Sequence, residues 1–76
     1  PVSTTAMRAQ ALVGRRGVVV SPFIDEKYGL VRLRDVGGTL LSVFAIIQSG
    51  EPIKRGSEVV LVAYDPTLKR YTVANV

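Results

Sequence analysis

Few groups in this 76-residue chain could do chemistry, and their types exclude most reactions. Histidine and cysteine are both absent, which removes the commonest general base, the commonest metal ligand, thiolate chemistry and disulfides. Catalysis would have to rest on carboxylates, lysines or serines. Asp25 and Glu26 are adjacent in a polar turn, where consecutive side chains diverge and neither loses its water. Glu51 and Glu58 stand near Lys54 and Arg55, cations that lower carboxyl pKa values and do not poise one near neutrality. Ser3, Ser21, Ser42, Ser49 and Ser57 have no identifiable base, and there is no Gly-x-Ser-x-Gly elbow. Gly14-Arg15-Arg16-Gly17 lacks the spacing and the Lys-Ser/Thr ending of a phosphate loop. The expectation is a chain that is not an enzyme, carries no cofactor and binds something.

Charge narrows the partner only slightly. The net charge is +4, but the cations come as dispersed pairs: Arg15-Arg16, Arg32 with Arg34, Lys54-Arg55 and Lys69-Arg70. A binder of single strands gathers its charge into one groove, so this scatter reads as solvated turns and strand ends. The longest apolar run, Val59 to Tyr64, is far shorter than the ~20 residues of a membrane helix. The chain opens Pro1-Val2-Ser3 without an initiator Met, and it reads as a piece of a longer protein.

Residues 1–11 are expected to be a linker, with Ser3-Thr4-Thr5 capping a short helix through Ala11. From Leu12 to Val76 the pattern is strands punctuated by glycine. The expected strands are Arg16–Val20, Tyr28–Arg34, Thr39–Ile47, Ser57–Tyr64 and Arg70–Val76. Pro22 stops the first. In the second, Val31 and Leu33 alternate with Arg32 and Arg34, which is half-buried spacing. Asp35-Val36-Gly37-Gly38 reads as a hairpin turn, and Asp65-Pro66-Thr67 as another. The connection from Gln48 to Gly56 holds two glycines and a proline, too irregular for a helix.

An open sheet of five short strands would leave an apolar face wet, whereas closing it removes that face and the free edges together. The expected fold is therefore all-β: a small five-stranded Greek-key barrel of OB type with little or no helix, an SH3-like barrel being the alternative. A narrow barrel accepts only one face of each strand. The third and fourth strands are nonetheless apolar on both faces, with Leu40, Phe44 and Ile46, and Val60, Val62 and Tyr64, taken as the outward sets. The chain's own loops (Phe23, Ile24 and Ile53), a second copy or a partner must cover them. These six outward residues are the candidate partner-binding site. The alternative is a single-stranded nucleic-acid surface built on Tyr28, Arg32, Arg34 and Phe44, the best grouping of rings and cations in the chain.

Leu12-Val13-Gly14-Arg15-Arg16-Gly17-Val18-Val19-Val20-Ser21-Pro22 resembles the opening of the C-terminal domain of NfeD-like membrane proteins. Gly29-Leu30-Val31-Arg32-Leu33, the run Glu51 to Val59 with its I-x-x-G-x-x-V spacing, and Tyr71-Thr72-Val73 extend the likeness over Leu12 to Val76. Ser42-Val43-Phe44-Ala45 stands where the family usually carries Tyr/Trp-Asp-Ala. Together with Arg34-Asp35 and Tyr64-Asp65-Pro66 this is more similar to the family's YqiJ branch. The resemblance implies an OB-fold domain without nucleic-acid function, tethered by its N-terminal side to membrane helices and placed on the cytoplasmic side. It implies a partner too, an SPFH-domain protein of the flotillin or stomatin type in bacterial membrane organisation.

Overall fold

A computed structural model describes residues 9–76; the cap expected at Ser3-Thr4-Thr5 and most of the linker lie outside the described residues. Seven strands follow in order: β1 (Arg16–Val19), β2 (Phe23–Ile24), β3 (Leu30–Arg34), β4 (Leu40–Ile46), β5 (Ile53–Lys54), β6 (Glu58–Asp65) and β7 (Arg70–Asn75). The five longer strands close a barrel in the order β1-β3-β4-β7-β6, the all-β five-stranded barrel expected from the alternation. All neighbours are antiparallel except β4 and β7, which meet in parallel at Ala45↔Tyr71 and Ile46↔Thr72. The spatial order β6-β1-β3-β4 is a Greek key, since the fourth long strand returns to lie beside the first.

Strand alternation selects the interior. Val19, Val31, Leu33, Ala45, Val59, Leu61, Tyr71 and Val73 point inward and are buried. The hairpin between β3 and β4 is set by a turn in which Gly38 N–H donates to Asp35 O at 3.0 Å. Gly38 follows it at φ 87°, a left-handed conformation that glycine adopts without a Cβ clash. In β6 the register with β7 shifts between Leu61 and Ala63. Val62 is the extra residue of a bulge, and beyond it the alternation reverses.

Two short strands depart from the sequence expectation. Residues assigned to the loop after Pro22 and to the long connection pair as β2 and β5, Phe23↔Lys54 and Ile24↔Ile53. A two-residue strand has no periodicity to detect, and its partner is distant in sequence. Their inward side chains, Ile24 and Ile53, join the core cluster, so neither is available to cover the outer faces of β4 and β6. Phe23 is itself about half exposed, beside Pro22, Pro52 and Lys54. Residues 9–11 are helical, Leu12 is buried in the same cluster, and the Tyr71 hydroxyl donates to Ala9 O at 2.7 Å. Barrel contacts thus begin by Ala9, within the last residues assigned to the linker. Burial, and after it the neighbouring Tyr64, raises the Tyr71 pKa above the ordinary tyrosine value.

The β2 segment packs closely enough to exclude a Cβ at Gly29. An added Cβ there would lie 2.5 Å from Ile24 Cγ1 and 2.9 Å from Ile24 Cα, and backbone cannot swing aside. Gly29→Ala is expected to destabilise the barrel by about 1–3 kcal/mol, read as a lower urea midpoint at unchanged slope. At Gly37 the nearest atom to an added Cβ is 3.5 Å away and φ is not positive. Gly37→Ala is expected to be neutral or to stabilise by about 0.4–1 kcal/mol.

Candidate functional site

The six residues expected to form one outward surface do not lie together. Leu40, Phe44 and Val62 are about half exposed, while Ile46 and Val60 are partly buried. Strand β7 separates β4 from β6. In a closed five-strand barrel each strand turns the outer surface by about 72°, so the two outer faces diverge by roughly 140°. Val62 looks out beside Thr72 and the 48–51 loop, around the barrel from Phe44. Tyr64 turns away from the outer set and is partly buried. After the bulge it pairs with buried Tyr71, packs against the core and places its ring 4.7 Å from the Tyr71 ring.

One continuous outer face does form, across β1, β3 and β4. Register places Val18 beside Arg32, Arg32 beside Ser42, Leu30 beside Phe44 and Arg34 beside Leu40. Val18 and Leu40 are 44% and 50% exposed, and Tyr28 and Phe44 both 54%. The Tyr28 and Phe44 rings lie 5.8 Å apart and tilted by 53°, within the range of favourable aromatic pairs. The face therefore brings together all four residues of the nucleic-acid alternative and two of the six docking candidates, Leu40 and Phe44. Val18 was missed among the docking candidates, although its place between inward Gly17 and Val19 was available from strand alternation.

Backbone hydrogen bonds position this face. Ser21, one of the serines weighed as a nucleophile, is a buried connector: its Oγ donates to Phe23 O at 2.8 Å and accepts from Leu30 N at 3.0 Å. Asp25 Oδ1 accepts the N–H groups of Lys27 and Tyr28, each at 2.8 Å, and so fixes the turn that delivers Tyr28. At the far end, Arg15 Nε donates to Arg34 O at 2.9 Å and Arg34 Nη1 to Gly38 O at 2.7 Å. The Arg34 head is thereby committed to the hairpin. Arg32 is exposed at the middle of the face. A shallow groove between β1 and β3, lined by Val18, Arg32, Arg34, Leu40 and Glu58, encloses about 350 Å³.

Among the described residues no group of three Asp or Glu side chains is disposed to hold a metal ion, and no helix is long and apolar enough to cross a membrane. The chain matches no family model, curated protein or solved structure.

The Asp25 carboxyl is held below its ordinary value of 3.8, chiefly by the Tyr28 and then the Lys27 backbone N–H. A depressed folded-state pKa contributes stability that is present above 3.8 and lost as pH falls through the lower folded value. Asp25→Ala is expected to lower the melting temperature at neutral pH and to flatten the loss of stability below pH 3.8. Faster amide exchange at Lys27 and Tyr28, with no change at Val31, would locate the effect in this turn.

Proposed function

We propose that this chain is a non-catalytic protein-interaction module and that the β1–β3–β4 outer face is its docking surface. The observation that carries the reading is the gathering of half-exposed Val18, Tyr28, Leu40 and Phe44 around exposed Arg32 on one face, since aromatic and arginine side chains among apolar ones are enriched at protein interfaces. The barrel is of OB type. Numbered by the long strands alone, its order is 1-2-3-5-4 with a parallel pair between third and fifth, and β5 occupies the connection where a helix often lies. The resemblance of Leu12–Val76 to NfeD-like domains supplies the partner class. The partner is an SPFH-domain protein of flotillin or stomatin type, met at the cytoplasmic surface of a membrane to which a parent chain is anchored.

A second reading is favoured by a specific juxtaposition: Tyr28 and Phe44 with Arg32 on the same face resemble the stacking surface of a single-strand binder. Against it, the two rings are tilted onto each other, and Arg34 is tied to the hairpin.

Phe44→Asp places a charge in the aromatic pair of the docking face and is expected to weaken association with a purified SPFH-domain partner at least about tenfold, as for a hot-spot residue. Because Phe44 is half exposed, the melting temperature should stay within about 4 °C of the parent. Val62→Asp, around the barrel, should leave association intact. Loss with both variants, or with neither, would remove this face as the docking surface. Fluorescence anisotropy with single-stranded oligonucleotides separates the two readings. Micromolar affinity with a steep salt dependence would establish the nucleic-acid surface, and no binding is expected.

A further inference from the structure

We infer that the edge of β4 left unpaired by the described strands receives an extended peptide segment of the protein partner as an added strand. The inference rests on the docking reading, because that edge borders the same face. It starts from the shortness of the pairing that closes the barrel between β4 and β7. Strand β4 pairs with β3 from Leu40 to Phe44 but with β7 only at Ala45 and Ile46.

The hydrogen-bond pattern decides which groups are left. Ala45 N–H donates to Gly29 O and Asp35 N–H to Thr39 O, both at 2.9 Å. These two bonds make the odd-numbered residues of β4 the ones bonded to β3. Antiparallel alternation then turns the N–H and C=O groups of Leu40 and Ser42 to the other side, where the described residues supply no strand. A row of alternating donors and acceptors is a template for another backbone and for little else.

The space below that edge is apolar. A groove of about 510 Å³ lies between the 9–12 turn and the β3–β4 hairpin, lined by Ala9, Leu12, Val36, Leu41 and Tyr71. Leu41 and Val43 belong to the inward-facing set of β4, yet they are only partly buried, because no strand among the described residues covers them. An added strand would direct alternate side chains into this groove, against Leu41 and Tyr71. Its intervening side chains would lie beside Leu40 and Phe44, continuous with the docking face. The groove is bordered by the 9–12 turn on one side and residues 35–37 on the other. The exposed backbone groups of Leu40 and Ser42 select an extended segment, and the apolar lining selects apolar residues at its alternate positions.

A short randomised peptide library, selected on the immobilised 76-residue chain, tests this directly. The enriched peptides are expected to carry apolar residues at every second position and to slow hydrogen exchange at the Leu40 and Ser42 amides, leaving Leu41 and Val43 as in the free chain. Ser42→Pro removes an outward N–H without touching the β3 ladder and should weaken those peptides at least about tenfold; the exchange measurement decides even where that variant folds poorly. The inference is overturned by failure to enrich above the bare support, or by enriched peptides that leave the two amides unchanged. Leu40 and Ser42 amides already slow in the free chain would also overturn it, as an edge covered by the chain itself or, where protection rises with concentration, by a second copy. Peptides abolished by Phe44→Asp but indifferent at Ser42 would leave the docking face standing and remove only strand addition. Partner association that survives Phe44→Asp, with both amides protected by peptide, would remove the docking face and keep the strand.

Discussion

Closing five short strands into a barrel forces a choice on every residue: the interior is narrow and takes one side chain in two. Val19, Val31, Leu33, Val59, Leu61 and Val73 fill it, and each inward residue obliges its neighbours outward. This constraint produces the exposed face without any selection for exposure at a single site. Strand β4 reads Leu40-Leu41-Ser42-Val43-Phe44-Ala45-Ile46, apolar in both registers, so closure must strand some of those side chains in water. The gain from sealing the core, about 25 cal/mol for each Å² of apolar surface buried, applies only to the inner set.

The ends of the barrel obey the same economy. Ile24 and Ile53, carried by a two-strand pair, and Leu12 at the N-terminal turn join the core cluster. With these apolar residues drawn inward, the described loops leave Phe44, Leu40 and Val62 about half exposed. The close fit of Gly29 over Ile24 shows how tightly β2 is seated. The buried hydroxyl of Ser21 lies between Phe23 O and Leu30 N and links β2 to β3 without leaving a polar atom unpaired.

The outer face and the β4 edge have one origin. Because β7 meets β4 only at Ala45 and Ile46, Leu41 and Val43 have no neighbouring strand among the described residues, and the backbone of Leu40 and Ser42 faces outward from the ladder. Exposed apolar side chains and a stretch of backbone that no described strand pairs thus lie side by side. Taken alone, either is common on small barrels. Their adjacency relates the proposed docking face to one kind of occupant, an extended chain.

Much of this was legible in the residues. The alternation of Val31 and Leu33 with Arg32 and Arg34 specified a half-buried strand, the paired glycines at 37 and 38 its hairpin, and the absence of helical spacing an all-β chain whose cheapest closed form is a barrel. The outward direction of Leu40, Phe44 and Val62 also followed from period-two spacing. What spacing along a chain does not contain is the direction in which a strand's outer surface looks, since that depends on strand order around the barrel. Hence six residues grouped by pattern are spread over divergent faces, Val18 joins Phe44 from a strand distant in sequence, and one bulged residue at Val62 sends Tyr64 inward to Tyr71. Short-range chemistry chose which side of each strand is apolar; only closure, a long-range property of all five strands together, decided which of those sides meet.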